Sequence, residues 1–284
     1  MSRRPSRPVR LLASALAVGA LLTTAACSDG GGDSEAAPDT AAARAAERDR
    51  AEQAPTGSPT GSASASLATL TESGAKAALL TEADLEGGWN QVQDADRWRD
   101  RLLVGEVDVS DFLTAKTDAT DCQELLDGLY RDSLLGEPSG PSALTGFEQG
   151  DSRLLEQVAG YDRAGLDARL KWMGTLPDTC DQFTATGSAG GTRTVQVTEA
   201  SVPGTGDARQ GLRVTVQGDA ADNPATLTLD IAAVRVGTSA LTVTGGGLDG
   251  GQESAVEQAV RQGTERLKTV LDGGTPSPQP TPVD

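Results

Sequence analysis

From Thr192 to Gly245 apolar and polar positions alternate. Val195 and Val197, then Leu212, Val214 and Val216, then Leu227, Leu229 and Ile231, then Leu241 and Val243 are each separated by single residues, most of them polar. A period of two puts every apolar side chain on one side of an extended backbone. The pattern predicts four strands, at about 192–200, 211–218, 225–237 and 239–245, in an antiparallel meander with one buried and one solvated face. In the third strand the apolar phase passes from Ile231 to Val234 and Val236, which predicts a bulge near Ala232–Ala233.

Elsewhere the period lengthens to that of a helix. Residues 253–271 place Val256, Val260, Gly263, Leu267, Val270 and Leu271 along one side, and this helix is expected on the buried face of the sheet. In "TDCQELLDGLY" Cys122, Leu125, Leu126 and Leu129 share a face, with Thr120 and Gln123 read as a capping-box pair. "DRAGLDARLKWMGTL" follows Asp162 as a cap, with Pro177 beyond its end. "SGAKAALL" makes a first helix, and Thr81 caps a short turn over Glu82–Leu85 that Gly87 stops. Trp89 begins an extended piece. "SALTGFEQG" and "RLLEQVAGY" read as two strands joined at Gly150–Asp151. Residues 93–118 are charged and poorly periodic and receive no assignment. Strands and helices segregate rather than alternate, so the predicted fold class is α+β: an antiparallel sheet meander with helices packed on one face.

The ends follow other rules. Arg3, Arg4, Arg7 and Arg10 precede "LLASALAVGALLTTAA". A basic start, ~13 apolar residues and a small-residue end make a secretory signal peptide over residues 1–26. The apolar run falls short of the ~20 residues of an ordinary spanning helix. Cys27 follows at once, and the junction resembles a bacterial lipobox, in which the cysteine thiol receives a diacylglyceryl group and becomes the mature N-terminus. Ala25 and Ala26 fit that pattern; Thr24 stands where leucine is usual. Residues 27–66 hold almost no large apolar side chain and are expected to be a disordered tether. About 40 such residues reach ~35 Å on average. Residues 273–284, "GGTPSPQPTPVD" from Gly273, make a Pro-rich tail. Residues 67–272 remain as one domain.

Composition narrows the chemistry. The chain has no histidine, which removes every His-based triad, general base and metal site. Its net charge is −17; four of the 24 basic residues lie before Cys27, so the mature chain sets 20 against 41 acids, about −21. Such a surface repels nucleic acid and anionic headgroups. With Cys27 acylated, Cys122 and Cys180 are left outside the cytoplasm and are expected to pair, closing a loop of ~59 residues.

Motifs for catalysis or cofactors fail on context. "GGGLDG", Gly245–Gly250, matches G-x-G-x-x-G between a strand and a helix, but no strand follows to complete a dinucleotide-binding unit, and a Gly-rich loop explains it better. "SGAK", Ser73–Lys76, matches S-x-x-K without its companion motifs. The pairs Asp94/Asp96, Asp108/Asp111 and Asp118/Asp121 lack the spacing of a calcium loop. No catalytic residue, metal ligand or cofactor is assigned. Aromatic residues are scarce, and Trp89, Tyr161, Trp172 and Phe183 are candidates to line a cleft between helices and sheet.

"ALLTEADLEGGW", a cysteine at a helix start, "YDRAGLDARLKWMGTLPDTCDQF", a strand meander and a closing amphipathic helix together resemble actinobacterial sensor-domain lipoproteins and the PknH-like extracellular domain of mycobacterial receptor kinases. The resemblance covers roughly 75–271. It implies an antiparallel sheet with helices packed on it and a ligand-sized cleft. Members typically carry two disulfides, and Cys122 and Cys180 can supply one. The expectation is a lipid-anchored, extracytoplasmic binding or sensor-type lipoprotein at the cell membrane, without catalytic activity. Its partner would be an unknown small molecule or envelope protein. A structural or assembly protein docking a protein partner, or a lipid carrier, is the alternative.

Overall fold

The computed structural model describes residues 69–93, 95, 119–186, 191–220, 223–248 and 250–277. Cys27, the signal and tether segments, Trp98, nearly all of 93–118 and the end of the tail lie outside the described residues. The elements run α1 (Glu72–Ala78), a 3-10 turn (Glu82–Asp84), β1 (Asn90–Gln91), α2 (Thr120–Arg131), β2 (Ser142–Gln149), β3 (Ser152–Gly160), α3 (Arg163–Thr179), β4 (Gln182–Thr186), β5 (Thr192–Glu199), β6 (Ala208–Ala220), β7 (Asn223–Val236), β8 (Ser239–Gly247) and α4 (Glu253–Leu271). The strands form one eight-stranded sheet in the order β1-β2-β3-β8-β7-β6-β5-β4, and every neighbouring pair is antiparallel. The fold is therefore α+β with a meander from β4 to β8, whose last strand docks on the β2–β3 hairpin.

Local chemistry accounts for the boundaries. Thr71 accepts from Gly74 N and caps α1. Asp84 takes both the N–H and the hydroxyl of Thr81 at 2.7 Å, which closes the 3-10 turn. Asp162 accepts from Gly165 N at 2.8 Å and caps α3. Gly150, at φ 56°, makes the two-residue hairpin between β2 and β3.

Two cores lie on opposite faces of the sheet. On one, Leu125 and Leu126 of α2 and Leu166, Met173 and Leu176 of α3 meet Val195, Val197, Leu212, Val214 and Leu229. On the other, Ala75 of α1 and Val260 and Leu267 of α4 meet Phe147, Leu154, Val158, Val234, Leu241 and Val243, with Trp89 at the side. The helices thus divide between both faces instead of sharing one. Both parities of β7 are buried from Leu229 to Val236, because one joins the core on the α2–α3 face and the other the core beneath α4.

That double burial replaces the predicted bulge. The β7 ladder runs unbroken past Ala232↔Val243 and Ala233↔Thr242. A strand covered on both sides loses its alternation without changing register. Three more details differ from expectation. Ala119, not Thr120, caps α2, with no side-chain bond at the cap; Gln123 turns instead to Asp127 Oδ1 at 2.8 Å. Pro177 lies inside the last turn of α3 rather than beyond it. Gly245, Gly246 and Gly247 belong to β8, not to a loop. A Cβ on Gly246 would stand 2.0 Å from Thr228 O and one on Gly247 2.7 Å from Asp151 O, so close backbone approach selects glycine there.

Candidate functional site

Cys122 opens the first turn of α2 and Cys180 caps the end of α3. Their sulfurs are bonded, with Cα atoms 5.6 Å apart, and both side chains are buried. The bond fixes where α2 begins against where α3 ends. Beside it, α2, the following turn and α3 enclose an open groove of about 520 Å³, lined among others by Gln123, Glu124, Asp127, Arg131, Glu137 and Arg169.

Arg169 organises this groove. Its Nε and Nη2 donate to Leu134 O at 3.0 and 2.9 Å. Nη1 donates to Glu124 Oε1. The guanidinium stacks 4.0 Å from the centroid of the Trp172 ring, and the Trp172 indole donates to Asp121 Oδ1 at 3.3 Å. A guanidinium has five N–H donors. Three are engaged, which leaves one on each terminal nitrogen without a partner among the described residues. The group is held on three sides and keeps donor capacity, a pre-organised arrangement for an acceptor.

A second groove, of about 660 Å³, lies where the solvated half of the sheet meets the start of α4. It is lined by Arg213, Thr215, Thr228, Gly251, Glu253, Ser254 and Glu257. Arg213 bridges Asp230 at 2.6 Å and Glu253 at 2.8 Å. Those two acceptors, Asp230 first, hold its pKa above the ordinary arginine value.

The four aromatic candidates do not share a cleft. Trp89 is buried at the side of the core on the α1–α4 face of the sheet. Tyr161 lies in the core beneath α2 and α3, with Trp172 and Phe183 packed against its margin. The Tyr161 hydroxyl donates to Gln157 at 3.4 Å, and burial, then the charge of Glu137, pushes its pKa up. Trp172 alone reaches the first groove's machinery, through Arg169. Its spacing from Arg169, three residues on one helix, was the available signal for that pair. Nothing in the sequence pattern singled out Arg213 and Asp230, which meet only by strand register.

Of the paired aspartates Asp94/Asp96, Asp108/Asp111 and Asp118/Asp121, all but Asp121 lie outside the described residues. Lys76 pairs with Glu72 at 3.3 Å and Ser73 with the Thr71 hydroxyl at 3.2 Å, both on the surface. Among the described residues no group of three or more Cys, Asp or Glu is placed to hold a metal, and no helix is long and apolar enough to cross a membrane.

Fold and site define an α+β domain cross-linked by one disulfide and carrying polar grooves on either side of its sheet. No protein-family model matches the chain, and no curated protein matches it. Among solved structures it is similar to the extracellular domain of PknH from Mycobacterium tuberculosis, at 14% identity and a TM-score of 0.37, over 72% of this chain and 99% of that one. A likeness so distant carries no functional content.

Proposed function

We propose that this chain is a lipid-anchored, extracytoplasmic binding or sensor-type protein, non-catalytic, that takes a small polar ligand in the groove between α2 and α3. Cys27 is its acylation site and residues 28–66 its tether from the membrane. The observation that carries the ligand reading is Arg169: immobilised by Trp172, Leu134 and Glu124, and still holding two donors without a partner among the described residues, in a space of ligand size. The non-catalytic reading rests on the absence of histidine and on the engagement of Cys122 and Cys180 in a disulfide. The acid held neutral near pH 7, Glu156, is sealed in the interior and lines neither groove. Both grooves are rich in charged and hydroxyl side chains, which suits a polar ligand and not an acyl chain.

Thermal-shift screening of the oxidised chain from Ser28 onward, against polar metabolites and fractions of an envelope extract, tests this reading. A stabilising fraction is expected, and Arg169→Ala should weaken it about tenfold or more, the cost of a charge-assisted hydrogen bond. Stabilisation by no fraction, or binding indifferent to Arg169, contradicts the assignment.

A second reading is docking of an envelope protein. It is favoured by the solvated face of β4–β6, where Gln182, Thr184, Gln196, Thr198 and Gln217 are exposed with no helix over them among the described residues. Crosslinking in cells separates the two: one stoichiometric protein partner supports docking.

A further inference from the structure

Glu156 of β3 is a fully buried carboxyl in no groove. Oε2 accepts from Leu80 N at 2.7 Å. Oε1 has no hydrogen-bond partner among the described residues, and Gly263 of α4 makes room for it, since a Cβ there would stand 2.5 Å away. Around it, α4 grips the same stretch of chain. Arg266 donates from Nε to Leu79 O at 2.8 Å and from Nη2 to Ala77 O at 3.0 Å, and its Nη1 lies 3.3 Å from Asp84 Oδ2. Gln258 donates to Asp84 O and accepts from Glu86 N, both at 3.2 Å. Every one of these bonds joins the body of the domain to residues 77–86.

We infer that residues 70–86 form a strap latched onto the domain by the buried Glu156 carboxyl, and that loss of the Glu156 proton to water unlatches it. Among the described residues two charged groups face this carboxyl: Asp84 from the strap and Arg266 from α4. Its cross-strand neighbours, Thr145 of β2 and Val243 of β8, do not titrate. Ionised, Glu156 would be a second buried carboxylate for one guanidinium that Asp84 already engages. A buried charge so poorly balanced is costly, whereas the neutral acid is tolerated. Burial, the largest cause, accordingly holds its pKa at about 8 against an ordinary 4.5. The sign follows: the latched form prefers the protonated acid, so latching is strongest below about 4.5, weakens as pH rises through the interval, and levels off above about 8. One proton changes the opening equilibrium ~tenfold per pH unit in that window. Release strips Leu70, Ala75, Ala78 and Leu80 from the core beneath α4.

Hydrogen exchange of the intact protein from pH 5 to 8, corrected for intrinsic rates, reads the opening directly. Amides of residues 75–85 should lose protection ~tenfold per pH unit while those of β5–β7 hold theirs, and Glu156→Gln should flatten the dependence. Asp84→Asn removes the competing carboxylate and should bring the plateau to lower pH, which keeps the inference testable if the first variant does not fold. A strap whose protection ignores pH, or falls equally in Glu156→Gln, overturns it.

Discussion

Asp230 on β7 is 2% exposed, and its cross-strand neighbour Arg213 reaches over it at 2.6 Å while keeping 38% of its own side chain in water. Such a pair contributes little by existing, because desolvation offsets attraction; removing one member is what costs. Arg213→Met leaves the Asp230 carboxylate buried with neither oxygen satisfied, since Oδ2 has no partner among the described residues even now. The expected loss is about 2–3 kcal/mol, below that of a fully buried pair because Arg213 is partly solvated. Urea unfolding checks it, and adding Asp230→Asn should recover much of the loss. No loss in the single variant would mean water already reaches Asp230.

At the scale of elements, the disulfide is the sharpest handle. It joins α2 to α3 across 58 positions of chain, and opening it should cost up to about 4 kcal/mol through the unfolded chain's regained freedom. Urea midpoints of the Cys122→Ala/Cys180→Ala protein against the oxidised parent measure this; equal midpoints would show that packing alone holds α2. The pairing was legible from sequence because the chain offers few thiols. The meander and α4 were legible because one solvated face leaves clean periodicity. β4 was not, since "QFTAT" is a short edge strand with one large apolar side chain, Phe183. β7 was misread because two-sided burial fills both parities with apolar residues. The site was less legible than the fold. The Arg169–Trp172 stack is local to one helix, whereas Glu124, Leu134 and Arg169 are brought together only when α2 folds back over α3. Of the four aromatic candidates, Trp89 and Tyr161 lie on opposite faces of the sheet, a separation that residue spacing does not encode.

At the scale of the molecule, the parts divide the work. A sheet buried on both faces at its centre supplies rigidity, and the two grooves lie at the margins where helices meet solvent. In sequence the strap follows the segment we propose as the membrane tether. The account as a whole depends on where the chain is processed and what its three sulfurs become. Intact-mass and peptide mass spectrometry of the native protein, extracted from membranes without reductant, tests this most directly. The account predicts a mature chain that begins at Cys27, bears a diacylglyceryl thioether there, and holds Cys122 and Cys180 as one cystine. A chain that retains residues 1–26, or that carries a free thiol at Cys27, would contradict it.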